Sequence, residues 1–472
     1  MIEERPSMLS RLAERFVSFA ERWVPDAFVF ALVATVLIFL LGVTAGGAGI
    51  PQMVQSWGKG FWELIPFTMQ MALIIITGYV LASSRPVFRL IAWLAGRPRS
   101  AKSATVMVAV FAMLSSWLNW GFSLIFSAIL AREVARRVQG TDYRLLAASS
   151  FLGLGSIWAQ GLSGSAALQM TTPGALQPAI RDIVAAGGLV PGGMIPLRHT
   201  IFLWQSLVAV VVEIVVVAVV IWLIVPRPER ARSAESLGVA LGPPPGSEPA
   251  PHSAPQPGEW LERTPYLTLL IVVLGFSYLG WVFASTDDVL GAINLNTINL
   301  AFLMLGFLLH WTPARLMRAV REATGAVWGV LLQFPFYAGI VGMIVYTGLN
   351  HKIAEFFVSV SDPVTYPPLV SLYSTVLGVF VPSGGSKWVI EAPYVMQAAH
   401  SLQVHLGWMV AVYDLGEALA NLVQPFWMLP VLSIFGLRAR DVMGFTFVVF
   451  LVLLPVVLLL VTALALTLPY PL

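Results

Sequence analysis

One stretch of the chain combines charged side chains with unusual backbone freedom. Residues 380–395 read Phe-Val-Pro-Ser-Gly-Gly-Ser-Lys-Trp-Val-Ile-Glu-Ala-Pro-Tyr-Val. The paired glycines allow the backbone to approach a ligand closely, and Ser383 and Ser386 add hydroxyl groups. Lys387 and Glu391 are four residues apart, so on a helix they share a face and can form an ion pair. Two roles are therefore open for Lys387: counter-ion of a carboxylate ligand, or structural partner of Glu391.

Three further polar clusters interrupt apolar surroundings. They run from Ser115 to Gly121, from Gly161 to Gly174 and from Asp414 to Pro430, and each contains hydroxyl, amide or acidic side chains beside glycine or proline. In the third cluster, Glu417 and Asn421 are four residues apart and share a helical face. A single polar face usually joins two helices. Four such clusters at corresponding positions favour a binding site.

The residues at the centres of these clusters are the candidate ligands. The candidate substrate-binding residues are Asn119, Trp120, Gly121, Ser163, Gly164, Ser165, Ser383, Gly384, Gly385, Ser386, Lys387 and Trp388. The candidate ligands of a coupling cation are Thr171, Glu417, Asn421 and Gln424. Oxygens at helix breaks suit sodium, whereas a proton requires a buried carboxyl group such as Glu391 or Glu417. The number of oxygens favours sodium, and no other metal or cofactor is expected.

None of these clusters supports catalysis. The segment Gly161-Leu-Ser-Gly-Ser165 lacks the final glycine of the G-x-S-x-G nucleophile motif, and Ser383 precedes Lys387 by four residues rather than three. The chain has no cysteine, which excludes a thiolate metal site and a cysteine nucleophile. Glu213 is a lone acidic residue in an apolar run and is interpreted as a helix–helix contact. We expect a binding protein and not an enzyme.

The composition indicates that the segments carrying these residues are surrounded by lipid rather than water. Hydrophobic residues make up 58% of the 472 residues, charged residues 11%, and the mean hydropathy is +0.82. Soluble chains carry roughly 25% charged residues, so most of this chain must face lipid. Lipid requires every backbone polar group to be satisfied within helices or a closed barrel. Apolar runs such as Ala27–Leu41 and Val442–Leu466 do not alternate with period two, so the predicted fold is an all-α integral membrane protein.

The apolar runs predict about nine full spans and two broken ones. The full spans lie at about 26–46, 63–82, 145–170, 201–225, 265–285, 297–310, 325–348, 408–434 and 441–467. The broken stretches, about 104–131 and 367–400, are too long for one helix of about 20 residues and too short for two. Each is therefore predicted to be a re-entrant helical hairpin. The tips, near Asn119 and Gly384, are expected to approach each other.

Basic residues predict the orientation of these elements. Arginine and lysine flank the stretch 104–131 on both sides, and the positive-inside rule places both flanks in the cytoplasm. The same rule places the N-terminus and the segment 226–264 inside, so the hairpin at 367–400 opens toward the outside. The two hairpins thus enter the membrane from opposite faces.

Four regions follow from this arrangement. Residues 1–25 form an amphipathic helix on the membrane surface, and residues 26–225 form a first repeat. Residues 226–264 form a proline-rich cytoplasmic linker, predicted to be disordered. Residues 265–472 contain one extra helix and a second repeat of inverted orientation. Inverted repeats with interrupted helices are typical of secondary transporters that bind their substrate near the middle of the membrane.

The chain also resembles a known family, the bacterial short-chain fatty acid transporters, or AtoE family, within a wider superfamily of ion-coupled organic-anion carriers. The resemblance extends from about Phe16 to the C-terminus, apart from the linker. The matching motifs are Arg-Trp-Val-Pro-Asp at 22–26, Gly-Lys-Gly-Phe-Trp at 58–62, Met-Gln-Met-Ala-Leu-Ile-Ile at 69–75, Asn-Trp-Gly-Phe at 119–122, Ala-Arg-Glu-Val-Ala-Arg-Arg at 131–137, Gln-Phe-Pro-Phe-Tyr-Ala-Gly at 333–339, Pro-Ser-Gly-Gly at 382–385 and Gln-Pro-Phe-Trp at 424–427. The sequence departs from the family pattern at Ser386, Lys387 and Glu391.

The resemblance implies a carrier of short monocarboxylates, such as acetoacetate or butyrate, in the bacterial inner membrane. It also implies cation coupling, an elevator-like moving domain and a homodimer, with no nucleic-acid partner. A carrier of the same fold for dicarboxylates or amino acids is the first alternative, and it would need more basic residues in the hairpins than Lys387 alone. A channel is disfavoured because two hairpins would occlude a pore.

Overall fold

The structure is a computed structural model that describes residues 27–241, 257–286, 289, 292–325, 327–380 and 384–472. The predicted surface helix at 1–25 and the predicted ligand Ser383 lie outside these residues, and the side chain of Ser386 is not described. Every regular element in the described part is helical. The all-α prediction is therefore confirmed.

The α-helices are numbered in chain order. They are α1 (Ala27–Thr44), α2 (Ile50–Gly60), α3 (Ile65–Ala82), α4 (Arg85–Ala95), α5 (Ala101–Leu118), α6 (Trp120–Arg137), α7 (Tyr143–Leu152), α8 (Ser165–Thr171), α9 (Pro178–Val184), α10 (Trp204–Ile224), α11 (Tyr266–Ala284), α12 (Leu295–His310), α13 (Pro313–Thr324), α14 (Trp328–Tyr346), α15 (Leu349–Val360), α16 (Tyr366–Phe380), α17 (Gly384–Ser401), α18 (Leu406–Ala420), α19 (Leu429–Phe435) and α20 (Ala439–Ala465). A single helical turn at Trp260–Arg263 precedes α11.

Six helices in the described part are long and apolar enough to cross a membrane. They are Ile65–Ala82, Ala101–Leu118, Tyr143–Thr171, Trp204–Ile224, Tyr266–Ala284 and Ala439–Ala465. The pair Val330–Tyr346 and Leu349–Val360, bent by 77°, adds a seventh if it is one span. Each of the nine predicted spans contains a helix, but some of these helices are shorter than a bilayer requires. The count of nine and the inverted repeat stay predictions.

Four short helices were not predicted from the sequence. These are α2, α4, α13 and α15, of 11 or 12 residues each. The first three carry proline in their first turn, where its missing N–H costs no hydrogen bond. Each of the four combines an apolar face with polar or charged residues, so none resembles a membrane span by composition.

The first broken stretch forms a helical hairpin, as predicted, with arms longer than the predicted 104–131. Helix α5 ends and α6 begins at Asn119, whose backbone is extended (φ −159°, ψ 120°). The Asn119 side chain caps α6 by accepting a hydrogen bond from the Phe122 N–H at 2.8 Å. The Ser123 hydroxyl donates to the Ala112 carbonyl at 2.7 Å, which holds the two arms antiparallel.

The second broken stretch also folds back on itself. The Tyr366 hydroxyl on α16 donates to the Val395 carbonyl on α17 at 2.8 Å. Nearer the tip, the Lys387 ammonium donates to the Ser374 carbonyl at 2.8 Å. These contacts run antiparallel, so α16 and α17 are the arms of a second hairpin.

The predicted interrupted span at 145–170 is present and packs on the tip of the first hairpin. After α7 the chain passes through a π-turn at Gly153–Ile157 and a 3₁₀ turn at Trp158–Gln160 before α8 begins. A Cβ at Gly161 would collide with Trp117, so only glycine allows this close approach. The Leu162 N–H donates to the Trp117 carbonyl at 2.7 Å.

A second interrupted span begins with α18, which is buried along its whole length. Beyond its end, the Asn421 amide donates to the Leu154 carbonyl in the first interrupted span at 2.9 Å. The Gln424 amide donates to the Asn421 side-chain oxygen at 2.6 Å. The first bond joins the two interrupted spans at their breaks, and the second orients the Asn421 side chain.

The first part of the predicted linker, residues 226–241, makes hydrogen bonds to neighbouring helices. Arg132 and Arg136 on α6 both donate to the Leu241 carbonyl, each at 2.5 Å. The Tyr143 N–H donates to the Arg232 carbonyl at 2.8 Å. Leu241 is therefore held against α6 of the first hairpin, and Arg232 against the start of α7. Residues 242–256 lie outside the described part.

Candidate substrate cavity

A cavity lies where the two hairpin tips meet. Its space, including the open mouth, is about 390 Å³. The residues that line it are Met71, Ile75, Trp120, Leu154, Trp158, Ser165, Val330, Phe334, Gly384, Gly385, Asn421 and Trp427. Trp120 is the first residue of α6 and Gly384 the first of α17. Both hairpin tips therefore contribute to the wall of one cavity, whereas their entry from opposite faces of the membrane stays a prediction.

Aromatic rings form much of the cavity wall. The Trp120 ring centroid lies 6.3 Å from that of Trp158 and 5.3 Å from that of Trp427, in edge-to-face geometry. Phe334 stacks on Phe67 at 5.5 Å. These rings fix the shape of the wall, because aromatic pairs prefer such geometries. The wall suits a small apolar group.

Two indole N–H groups belong to lining residues and have no acceptor. Trp120 and Trp158 are each 6% exposed, and their Nε1 atoms are buried without a hydrogen-bond partner among the described residues. A buried donor without an acceptor costs about 1–3 kcal/mol. A ligand whose acceptor oxygens reach these two N–H groups would recover this free energy.

The start of α17 gives the cavity further donor character. The first turn of a helix has N–H groups without an intrahelical acceptor and a partial positive charge. A side chain would be crowded at its first two residues: a Cβ at Gly384 would lie 2.6 Å from the Trp158 ring, and one at Gly385 would lie 3.1 Å from Ser165 and Phe67. The α17 backbone therefore borders the cavity directly.

The cavity contains no charged side chain among the described residues that line it. Its polar groups are neutral: the indole N–H groups, the Ser165 hydroxyl, the Asn421 amide and the backbone of Gly384 and Gly385. Such a site can bind one anionic group through neutral donors and bury a short apolar tail against the rings.

The predicted substrate ligands divide into three groups. Lining residues of the cavity are Trp120, Ser165, Gly384 and Gly385. A second group does not line the cavity but supports the tip of the first hairpin: Asn119, Gly121, Ser163 and Gly164. Asn119 caps α6, and the Ser163 hydroxyl accepts from the Trp120 N–H at 2.9 Å. Gly121 lies close to the Asn119 side chain, and Gly164 lies close to neighbouring backbone. Lys387 and Trp388 do not line the cavity, and Trp388 is fully buried against Tyr413 with centroids 4.7 Å apart.

Lys387 lies in a buried cluster of charges beside the cavity. Its Nζ is 2.7 Å from a Glu417 carboxylate oxygen and 3.1 Å from one of Glu391. All three side chains are at most 1% exposed. The pairing with Glu391 follows from spacing, but the closer contact joins residues 30 positions apart in the chain. The only sequence signal for it was the presence of one lysine and several acidic residues in apolar surroundings.

The predicted cation ligands do not form one shell in the described part of the structure. Glu417 contacts Lys387, whereas Asn421 and Gln424 bond to each other and to the Leu154 carbonyl. Thr171 is buried at the end of α8, 8% exposed. Glu213, interpreted as a helix contact, accepts a hydrogen bond from the Gln160 amide at 2.7 Å.

Sequence reasoning missed most of the cavity wall. Trp158, Trp427 and Phe334 were not among the candidate ligands, although two of them lie in the motifs that carried the family resemblance. Aromatic residues are frequent in this chain, at 11%, so their types alone did not separate wall residues from lipid-facing ones. For Phe334 and Trp427, membership of those motifs was the signal that could have identified them.

Paired helical hairpins and two interrupted spans around one cavity define a multi-pass membrane transporter. The fold is similar to that of the Alcanivorax borkumensis YdaH transporter, with a TM-score of 0.57 and 14% identity over 93% of this chain and 98% of that one. It is also similar to Neisseria gonorrhoeae MtrF, described as illuminating a class of antimetabolite efflux pumps, with a TM-score of 0.59 and 12% identity over 97% and 98%.

The sequence comparisons are more specific. The family model of short chain fatty acid transporters matches residues 8–466. An Escherichia coli K12 protein provisionally named a short-chain fatty acid transporter is 39% identical over 93% of this chain and 96% of its own length. A Haemophilus influenzae protein of the same provisional name is 34% identical over the same shares. The chain belongs to the short-chain fatty acid transporter family.

Proposed function

We propose that the protein is a secondary carrier that moves short-chain monocarboxylates, such as butyrate or acetoacetate, across the bacterial inner membrane with a coupling cation. The observation that carries the proposal is the cavity at the hairpin tips, with unpartnered indole donors and no charged side chain among its described lining residues. The names of the relatives support the same substrate class.

The chemistry of the cavity favours one carboxylate over two. A carboxylate removed from water must receive several hydrogen bonds in return, and Trp120, Trp158 and the first turn of α17 can supply them. A second carboxylate or an ammonium group would need its own partner of opposite charge, and the described lining residues include none. Each methylene of the tail adds about 0.8 kcal/mol when it is buried against the rings.

The moving part of an elevator-like carrier would comprise the hairpins α5–α6 and α16–α17 with the interrupted spans between them. Helices α6 and α17 and both interrupted spans contribute to the cavity wall, which α3 and α14 complete. The two interrupted spans are joined by the buried bond of Asn421 to Leu154, so these elements can move as one body. A homodimer with α11 and its neighbours at the fixed interface belongs to the same proposal. Only 17% of the span Tyr266–Ala284 is buried within the chain.

The test measures uptake of labelled butyrate into proteoliposomes and butyrate binding to the purified protein. Trp120→Phe and Trp158→Phe remove an N–H but keep a ring, and each is expected to weaken binding by roughly tenfold, since a hydrogen bond to a charged group contributes about 1.5–3 kcal/mol. Trp117→Phe is the matched control: its Nε1 is also buried without a partner among the described residues, but Trp117 does not line the cavity.

Equal losses of butyrate affinity in all three tryptophan variants would contradict the assignment of this cavity as the substrate site. Tighter binding of succinate or an amino acid than of butyrate would instead support the alternative substrate classes.

A further inference from the structure

The buried cluster formed by Lys387, Glu391 and Glu417 contains more carboxylates than its lysine can serve. An ammonium group has three N–H donors. The Ser374 carbonyl and hydroxyl accept from the Lys387 Nζ at 2.8 Å and 2.5 Å, which leaves one N–H for two carboxylates. Both oxygens of Glu391, and the Glu417 oxygen that faces Lys387, are buried and accept no hydrogen bond from the described residues. One carboxylate in this buried place is therefore without its own donor.

We propose that Glu391 and Glu417 share one exchangeable proton, and that this proton is the coupling ion of the carrier. Two ionised glutamates beside one lysine leave a net negative charge with no access to water, which is costly in a membrane interior. A single proton on either carboxyl makes the cluster neutral. The proton belongs to the pair rather than to one residue, because the two carboxyls interact through the same ammonium. This inference rests on the proposed function and names its coupling ion.

The geometry favours a proton over the sodium ion expected from the sequence. Sodium would need to lie among several oxygens, and Lys387 Nζ already stands within 3.1 Å of both carboxylates. The ammonium occupies the position that a bridging cation would require.

The other ionisable groups around the cluster are four phenols, one buried aspartate and several charged residues that are at least partly exposed. The phenols that face it are those of Tyr366, Tyr373, Tyr394 and Tyr413. Asp414 is 2% exposed, lies close to the Ala167 N–H of α8 and interacts electrostatically with Glu417 and Lys387. The charged residues on other helices packed nearby lie at least partly exposed: Arg181, Asp182, His351, Lys352, Glu355, Arg440 and Asp441.

The cluster is in contact with the substrate cavity through Gly384. A Cβ at Gly384 would lie 3.2 Å from Glu417 Cγ, and the Tyr413 hydroxyl donates to the Gly384 carbonyl at 2.5 Å. An ionised second carboxyl would repel a substrate carboxylate held at the same hairpin tip, and like charges in a protein interior alter affinity by on the order of tenfold or more. Binding of the anion and uptake of the proton therefore favour each other. Substrate anion and proton then cross together without net charge.

The test compares gradient-driven uptake with exchange. Wild-type protein in sodium-free proteoliposomes is expected to accumulate labelled butyrate under an inward proton gradient. Glu391→Gln and Glu417→Gln each leave a neutral pair with Lys387, so both should fold. Each is expected to lose accumulation by about tenfold or more while exchange of internal for external butyrate falls by less than about threefold. Glu213→Gln, a buried carboxyl with its own donor, is expected to keep both activities.

A second measurement uses no membrane. Butyrate added to the purified wild-type protein in weak buffer should withdraw protons from solution, seen with a pH indicator dye, and the two glutamine variants should not. Accumulation that requires sodium and ignores pH, or glutamine variants that still accumulate, would overturn the proton assignment but leave the carrier intact. A wild-type protein that neither exchanges nor accumulates butyrate would overturn the proposed function itself.

Discussion

At the scale of the residue, Lys387 shows that a buried charge has a high desolvation free energy, which contacts with several partners offset. Its ammonium contacts two carboxylates and two oxygens of Ser374, and it lies 4.5 Å from the Tyr413 ring centroid. A lysine in the centre of a membrane helix costs about 3 kcal/mol without partners. These partners come from three different helices, so the lysine also ties α16, α17 and α18 together.

Lys387→Gln should therefore destabilise the protein rather than only weaken substrate binding. Removal of one member of a buried ion pair costs about 3–5 kcal/mol, because the remaining charge has no partner. Thermal unfolding in detergent should show a large fall in Tm for Lys387→Gln and a partial recovery when Glu417→Gln is added. Lys352→Gln is the control, since this exposed lysine donates to the Ala45 carbonyl. An unchanged Tm for Lys387→Gln would contradict the role of the cluster.

At the scale of the element, the hairpin tips depend on a few capping interactions. Asn119 accepts from the Phe122 N–H and Ser163 from the Trp120 N–H, so two side chains satisfy the first turn of α6. The cap also fixes the direction in which Trp120 leaves the tip. Loss of the cap should therefore affect both stability and the cavity.

Asn119→Ala is expected to cost about 1 kcal/mol of stability through loss of the N-cap, and to weaken butyrate binding because Trp120 loses its support. Asn119→Ser should retain most of the stability and most of the butyrate affinity, since serine caps helices nearly as well as asparagine. Calorimetry of butyrate binding and thermal unfolding in detergent measure the two effects. Equal behaviour of the alanine and serine variants would show that the cap does not position the tip.

Part of this arrangement follows from sequence and part does not. Polar residues and glycines in the middle of apolar runs predicted the breaks at Asn119, Gly161 and Gly384, because only a buried or cavity-lining backbone tolerates such breaks in a membrane. The contact of Lys387 with Glu417 and the rings of Trp158 and Trp427 depend on how separate helices pack. Helical periodicity in one segment carries no information about that packing.

At the scale of the whole molecule, the two hairpins are predicted to open to opposite sides of the membrane. The chain has no cysteine, so single cysteines report their own accessibility. Arg99→Cys and Gln139→Cys flank the first hairpin and should react with a membrane-impermeant thiol reagent from the cytoplasmic side only. Val364→Cys and Ser401→Cys flank the second and should react from the outer side only. All four positions are at least partly exposed.

Reaction of Arg99→Cys and Gln139→Cys from opposite sides would show that α5 and α6 cross the membrane separately. The inverted repeat would then be wrong, although the hairpin geometry and the shared cavity would stand. Labelling in sealed vesicles of known orientation, with permeabilised vesicles as the control for reactivity, separates these outcomes.

The absence of a charged side chain from the described cavity wall bears on how long a substrate stays bound. Neutral donors and two or three buried methylenes support a modest affinity, and a millimolar dissociation constant corresponds to only about 4 kcal/mol. With a typical association rate of about 10⁶ M⁻¹s⁻¹, the residence time at that affinity is on the order of a millisecond. A lysine in the wall would lengthen this time and slow release. The neutral wall thus favours rapid turnover over retention.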